Sequence, residues 1–100
     1  MLSVRFGSEN EWWVSGSVFD RLFDAAIGYG LMPGDLEDWR YVVDANGGMD
    51  VNKEKPQDAG RFKDALLESA QRELSSVERT QDTWTYTTSL EKLVKLLAKD

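Results

Sequence analysis

The longest periodic segment of the chain runs from Pro56 to Val77 and predicts an amphipathic helix. Apolar side chains recur there at about every fourth position, with charged and amide side chains between them; the central row consists of Phe62, Leu66, Ala70 and Leu74. Pro56 suits the first position of a helix, because the N–H that proline lacks would have no partner there. We expect the rest of the chain to pack against this helix, since no other segment offers as much apolar surface for burial.

Two further segments show the apolar spacing of helices. Residues 17–29 follow Ser15 and overlap Ser17, and either serine can cap the start of a helix. Residues 88–99 begin with the tetrapeptide TSLE, which matches a capping box and leads into leucine and valine residues at helical spacing. The sequence therefore predicts three amphipathic helices.

Strands are predicted where apolar and polar residues alternate. Residues 2–6 alternate in this way, Gly7 and Ser8 end the segment, and residues 9–11 then form a polar loop. Over residues 83–87, threonines alternate with aromatic residues. Both residue types favour extended structure, so this segment is a further candidate strand.

One stretch in the middle of the chain is compatible with two structures. In the first, residues 39–44 and 49–52 form a hairpin around an Asn-Gly-Gly turn. In the second, residues 35–45 form a helix that ends at the same turn. We favour the hairpin, because Trp39, Tyr41 and the paired valines after them belong to residue types that prefer strands.

These elements predict one α+β domain that spans residues 1–100. Its three amphipathic helices pack on a small antiparallel sheet of three to four strands. A chain of 100 residues is long enough for one domain with a core of its own. No apolar run approaches the roughly 18 residues that a membrane helix needs, so we expect no membrane association and a cytoplasmic location.

The formal net charge of −6 is unevenly distributed along the chain. All of the imbalance lies in residues 1–60, because residues 61–100 contain equal numbers of acidic and basic side chains. Such a chain is a poor ligand for nucleic acid, which attracts clusters of Lys and Arg. An acidic surface instead speeds the encounter with a basic protein partner. A simpler explanation of the acidic residues is that they only keep the protein soluble.

The residue types that the chain lacks exclude several kinds of active site. There is no cysteine and no histidine, which excludes disulfides, thiolate metal sites and a Ser-His-Asp triad. The segment that begins at Asp44 starts like an EF-hand loop, but Lys55 stands where the loop needs its final glutamate. We therefore expect no enzymatic activity, no cofactor and no metal ion.

Eight residues are the candidates for contact with a partner. They are tryptophans, which often anchor protein interfaces, and acidic residues of the segment 35–50; the set consists of Trp12, Trp13, Asp35, Glu37, Asp38, Trp39, Asp44 and Asp50. Because Trp12 and Trp13 are adjacent, they cannot both point into one core, and we expect one of them to be at least half exposed.

The sequence predicts a small acidic protein-interaction domain without enzymatic activity. In size and charge it is similar to small bacterial proteins that bind and neutralise a basic partner, such as the immunity proteins of nuclease toxins. One alternative is a carboxylate-based metal- or ligand-binding domain, since five acids lie between residues 35 and 50. Another is a structural subunit of a homo-oligomer, for example a homodimer.

Overall fold

A computed structural model describes residues 1–7 and 10–98 of the chain and confirms the α+β class. In this part of the chain, four helices pack on one three-stranded sheet. The elements are β1 (Leu2–Arg5), β2 (Glu11–Val14), α1 (Gly16–Gly28), α2 (Trp39–Asn46), β3 (Gly48–Asp50), α3 (Pro56–Ser76) and α4 (Trp84–Ala98). Three residues with predicted positions lie outside the described residues: Ser8 at the end of the first strand, Glu9 in the loop, and Lys99 at the end of the last helix.

The sheet has the strand order β2-β1-β3 and is mixed rather than purely antiparallel. β1 pairs with β2 in the antiparallel sense and with β3 in the parallel sense. Strand β2 begins with Glu11, which the sequence placed in a polar loop, and continues through the three residues that follow that loop. One face of the β1–β2 pair is buried, and it carries the apolar residues of both strands; these are Leu2, Val4, Trp12 and Val14.

The predicted hairpin is wrong, and the rival helix is close to the observed structure. Residues Trp39–Asn46 form α2, which ends at Gly47 with a left-handed φ of 69°. Trp39 and Val43 lie one helical turn apart, and both face the core, where Val43 is fully buried. Burial of this pair on one helical face outweighs the preference of Trp and Val for strands.

The candidate strand over residues 83–87 is also wrong, because α4 begins at Trp84. The buried residues of α4 recur every three to four positions along one side of the helix. They extend the predicted apolar row by one turn toward the N-terminus; they are Tyr86, Thr87, Leu90, Leu93 and Leu97. The TSLE tetrapeptide therefore lies inside the helix and caps nothing. Thr83 immediately precedes the helix, and its hydroxyl donates a hydrogen bond to the Glu78 carbonyl oxygen at 2.6 Å.

The first and the longest helix follow the sequence closely. Ser15 caps α1 as predicted, and its hydroxyl oxygen accepts a hydrogen bond from the backbone N–H of Val18 at 3.2 Å. Pro56 occupies the first turn of α3, as predicted from its missing N–H. The apolar row of α3 packs into the core, in which Phe62 and Leu66 are fully buried.

Aromatic rings connect three helices in the centre of the core. The rings of Phe23 in α1 and Phe62 in α3 have their centroids 6.3 Å apart. The rings of Phe62 and Trp39 in α2 are 4.8 Å apart. These spacings are typical of tilted aromatic pairs. Phe62 therefore contacts both neighbouring helices and fixes α2 against the core.

Glu73 of α3 joins two tyrosines from different parts of the chain. Its carboxylate accepts hydrogen bonds from the hydroxyl groups of Tyr29, just beyond α1, and Tyr86 of α4, at 2.6 and 2.7 Å. Burial and the hydrogen bond to the Glu73 carboxylate raise the pKa of Tyr86 well above its ordinary value of about 10. This cluster ties the ends of three helices together.

Removing the Tyr86 hydroxyl should weaken the fold in a pH-dependent way. We expect Tyr86→Phe to lower the free energy of unfolding by about 1–2 kcal/mol at neutral pH. The raised pKa means that this contribution is fully present below about pH 10 and is lost as the pH rises further, because the unfolded chain releases the phenolic proton first. Urea titrations at neutral and alkaline pH measure both effects. Tyr41→Phe is the control, and an equal loss at both pH values would contradict the prediction.

Gly48 allows β3 to lie directly beside β1. Its φ is 152°, and a Cβ placed on it would lie 2.0 Å from the Ser3 carbonyl oxygen. A side chain at this position would therefore push the two parallel strands apart. The parallel pairing thus depends on glycine at residue 48, where the sequence indicated only a turn.

We expect Gly48→Ala to lower the free energy of unfolding by at least about 2 kcal/mol, because the strained backbone and the collision with Ser3 add together. Gly60→Ala is the matched control. It lies inside α3, where a Cβ meets nothing within 4 Å, so alanine should stabilise the helix by about 0.5–1 kcal/mol. Urea unfolding of both variants measures the difference. Wild-type stability of Gly48→Ala would contradict the close approach of β3.

Candidate functional site

The structure separates the two adjacent tryptophans, as the sequence required. Trp12 is only 1% exposed, and its ring N–H donates to the Ser89 carbonyl oxygen of α4 at 3.0 Å. A side chain that is only 1% exposed is not an anchor for a partner, so the prediction that Trp12 makes partner contact is wrong. Trp13 points to the opposite side of β2 and is 57% exposed.

Trp39 and Asp50 are partly occupied by contacts within the chain. Trp39 is half-buried against Phe62. Asp50 caps the short 3-10 turn that follows β3, since its carboxylate accepts a hydrogen bond from the backbone N–H of Asn52 at 3.1 Å. Both residues thus have structural roles that account for their presence.

The remaining acidic candidates lie before α2 or within it, and they differ in their contacts. Asp35 forms a two-pronged ion pair with Arg61 of α3, with its shortest contacts at 2.6 and 2.7 Å. This pair fixes the 3-10 turn Gly34–Leu36 to α3 and neutralises the carboxylate. Among the described residues, Glu37, Asp38 and Asp44 have no ion pair, and Asp38 and Asp44 are exposed.

The outer surface of α2 combines exposed apolar side chains with these acidic residues. Tyr41 is 66% exposed and Val42 is 43% exposed, although both belong to types that are usually buried at least in part. We call this surface the α2 face; its exposed members are Asp38, Tyr41, Val42, Asp44 and Ala45. Its residues recur at the three- and four-residue spacing of one side of a helix.

Tyr41 and Val42 of the α2 face were missed because the predicted hairpin placed Tyr41 on the same side as Trp39 and Val43. In a helix, residues two positions apart point in widely different directions, so Tyr41 faces solvent when Trp39 and Val43 face the core. The rival helix over residues 35–45 contained the signal that would have found this surface.

The junction of α1 and α2 adds further negative charge beside the α2 face. Arg40 contacts the carboxylates of Asp24 at 2.8 Å and Asp20 at 3.8 Å, and its guanidinium lies 4.8 Å from the centre of the Phe23 ring. One cation thus faces two acids, and Asp44 follows one helical turn after Arg40. The surroundings of α2 therefore have a negative balance of charge even where an arginine is present.

The composition of the α2 face is similar to that of a protein interface. Exposed tyrosine and valine with a rim of carboxylates resemble the apolar centre and polar edge of an interface. Across the described residues, no three acidic side chains come close enough together to hold a metal ion. The helices described between residues 16 and 98 include none with the length and apolar character of a membrane span.

No family model, curated protein or solved structure gives a significant match to this chain.

Replacing an outer residue of α2 should cost much less stability than replacing an inner one. We expect Tyr41→Ala to change the free energy of unfolding by no more than about 0.5 kcal/mol, because the side chain lies mainly in solvent. Val43→Ala should cost roughly 1–3 kcal/mol, because it leaves a cavity in the core. Urea unfolding compares the two variants, and the reverse order would contradict the helical orientation of this segment.

Proposed function

We propose that this chain is a non-enzymatic protein-interaction domain that binds a basic protein partner through the α2 face, and that it acts in the cytoplasm. The observation that carries the proposal is the exposure of Tyr41 and Val42 side by side on one helix. Both side chains are available without any change in the core. Tyrosine is among the residues that contribute most to interface binding energy.

The charge around α2 supports a basic partner. Asp38 and Asp44 flank the two apolar residues, and neither is neutralised by an ion pair in the described part of the chain. Carboxylates at the rim of an interface raise the association rate with a positively charged protein and lower it for an acidic one. The surplus of acids in residues 1–60 acts in the same direction at longer range.

An inhibitor that covers the basic surface of its target is one form of such a binder. The small size of the chain and its net charge of −6 agree with this immunity-like role. The two alternatives, a carboxylate-based metal or ligand site and a homo-oligomer, remain predictions from the sequence. Among the described residues, no group of three acidic side chains favours the first of them.

Partner capture with matched variants tests the proposal. The protein is immobilised, exposed to native lysate and eluted with a salt gradient, and the retained proteins are identified and produced in pure form. We expect a basic protein to leave at moderate salt, since exposed charge pairs are screened. The double variant Tyr41→Ser/Val42→Ser should bind the purified partner at least about tenfold more weakly than the wild type, because it removes the apolar centre of the α2 face.

Charge reversal separates the role of the carboxylates from the net charge. Asp38→Lys/Asp44→Lys should slow association and lower the salt concentration of elution. The control Asp64→Lys/Glu78→Lys changes two exposed acids of α3 and of the following loop by the same charge, and it should bind like the wild type. A wild-type column that retains no basic protein, or equal losses in both charge variants, would contradict a site on α2.

A further inference from the structure

Strand β2 forms one edge of the sheet, and its register shows which backbone groups face outward. The backbone N–H of Phe6 donates to the Asn10 carbonyl oxygen at 2.8 Å, and every second pair along the two strands bonds in the same way. The pair Val4–Trp12 therefore exchanges hydrogen bonds across the ladder. The N–H and C=O groups of the alternate residue, Trp13, consequently point away from β1.

A second hydrogen bond confirms this direction. The backbone N–H of Ser3, which lies opposite Trp13 in the register, donates to the Gly47 carbonyl oxygen on the far side of β1 at 3.1 Å. The outward backbone groups of Glu11 and Trp13 have no hydrogen-bond partner within the described residues. The edge of β2 is therefore open to a further strand.

A cleft of about 350 Å³ lies along this open edge, between β2 and α4. Its walls are mostly apolar, with two lysines from successive turns of α4; the lining residues are Glu11, Trp12, Trp13, Lys92, Lys95 and Leu96. The volume lies in the range of ligand-binding clefts. The exposed ring of Trp13 and the Leu96 side chain supply apolar contact on its two sides.

The charge of the cleft is opposite to that of the whole molecule. Lys92 and Lys95 are exposed and form no ion pair in the described part of the chain. The single acid of the lining, Glu11, is already engaged, because its carboxylate accepts a hydrogen bond from the Ser3 hydroxyl and lies 3.6 Å from the Arg5 guanidinium. Two positive charges therefore face the open edge without compensation.

We infer that this cleft binds an extended acidic peptide segment, which adds a fourth strand to the sheet at the edge of β2. Peptide addition at a sheet edge takes its affinity from main-chain hydrogen bonds and its selectivity from alternate side chains. Residues two apart in a strand are about 7 Å apart, close to the separation of two lysines three positions apart on a helix. Acidic side chains at alternate positions of the segment thus meet Lys92 and Lys95.

The strand order separates this site from the α2 face. The cleft between β2 and α4 lies at the β2 edge of the sheet, whereas α2 packs next to β3 at the other edge. The inference therefore does not depend on the proposed function. Its charge complementarity also differs, because the cleft selects acidic partners and the α2 face selects basic ones.

Titration with a short capped peptide of alternating valine and glutamate tests the inference. We expect backbone amide resonances of Glu11 and Trp13 to shift and to become protected from hydrogen exchange. Methylating the peptide nitrogens that face the protein should abolish binding, whereas methylating those that face away should leave it intact. Equal effects of the two methylation patterns, or equal binding of free glutamate, would overturn strand addition.

Charge variants test the selectivity of the cleft. Lys92→Glu/Lys95→Glu should weaken binding of the peptide at least about tenfold. The control Lys53→Glu/Lys55→Glu changes two exposed lysines at the start of α3 by the same charge and should bind like the wild type. Equal losses in both variants would overturn a specific role of the α4 lysines.

A second copy of the chain is the competing occupant of the edge. Sedimentation velocity of the protein without peptide should show a monomer. The inference would be overturned by two results together. The protein would form a dimer that Lys92→Glu/Lys95→Glu dissociates, and its amide resonances would not shift on addition of the peptide. The edge would then belong to a second copy.

Discussion

The position of α2 depends on one packing contact, the tilted pair of the Trp39 and Phe62 rings, whose centroids are 4.8 Å apart. A helix of eight residues is too short to be stable by itself, so its orientation is set by what it packs against. With Trp39 held on Phe62 and Val43 buried one turn later, the opposite side must face water. The exposure of Tyr41 and Val42 is therefore a consequence of the core.

The same contact explains why the inner and outer positions of this helix differ in their effect on stability. The inner positions are coupled through Phe62 to Phe23 of α1, so changes there spread into the core. The outer positions touch solvent and affect only what approaches from outside. The α2 face can therefore vary without loss of the fold, as is usual for a surface that a rigid scaffold supports.

The α+β class and the cores of three helices could be predicted because their signals are local. Ser15 caps α1 and Pro56 opens α3 through their own backbone chemistry, and the apolar row of α3 needs no partner to be recognised. The structure of residues 39–46 could not be predicted in this way, because Trp39 and Val43 obtain their helical arrangement from the distant Phe62. Local preference for strands was overruled by packing.

The candidate site shows the same division. That only one of the adjacent tryptophans could be buried follows from the geometry of a strand, but which one enters the core depends on α4, whose Ser89 carbonyl oxygen accepts the Trp12 N–H. The acidic residues were predicted as a group, yet the pairing of Asp35 with Arg61 is invisible in sequence. Charge patterns locate a surface, whereas folding decides which charges remain unpaired.

The mixed sheet also orders the events of folding. β1 and β2 are close in sequence and can meet as an antiparallel pair at low entropic cost, before the helices are in place. β3 can join β1 only after α1 and α2 have brought Gly48 back to Ser3 from a distant part of the chain. Long-range contacts of this kind form slowly. We therefore expect the pair of β1 and β2 to form early as a local structure. Strand β3, which closes the sheet, should be added late, because it depends on the helices before it.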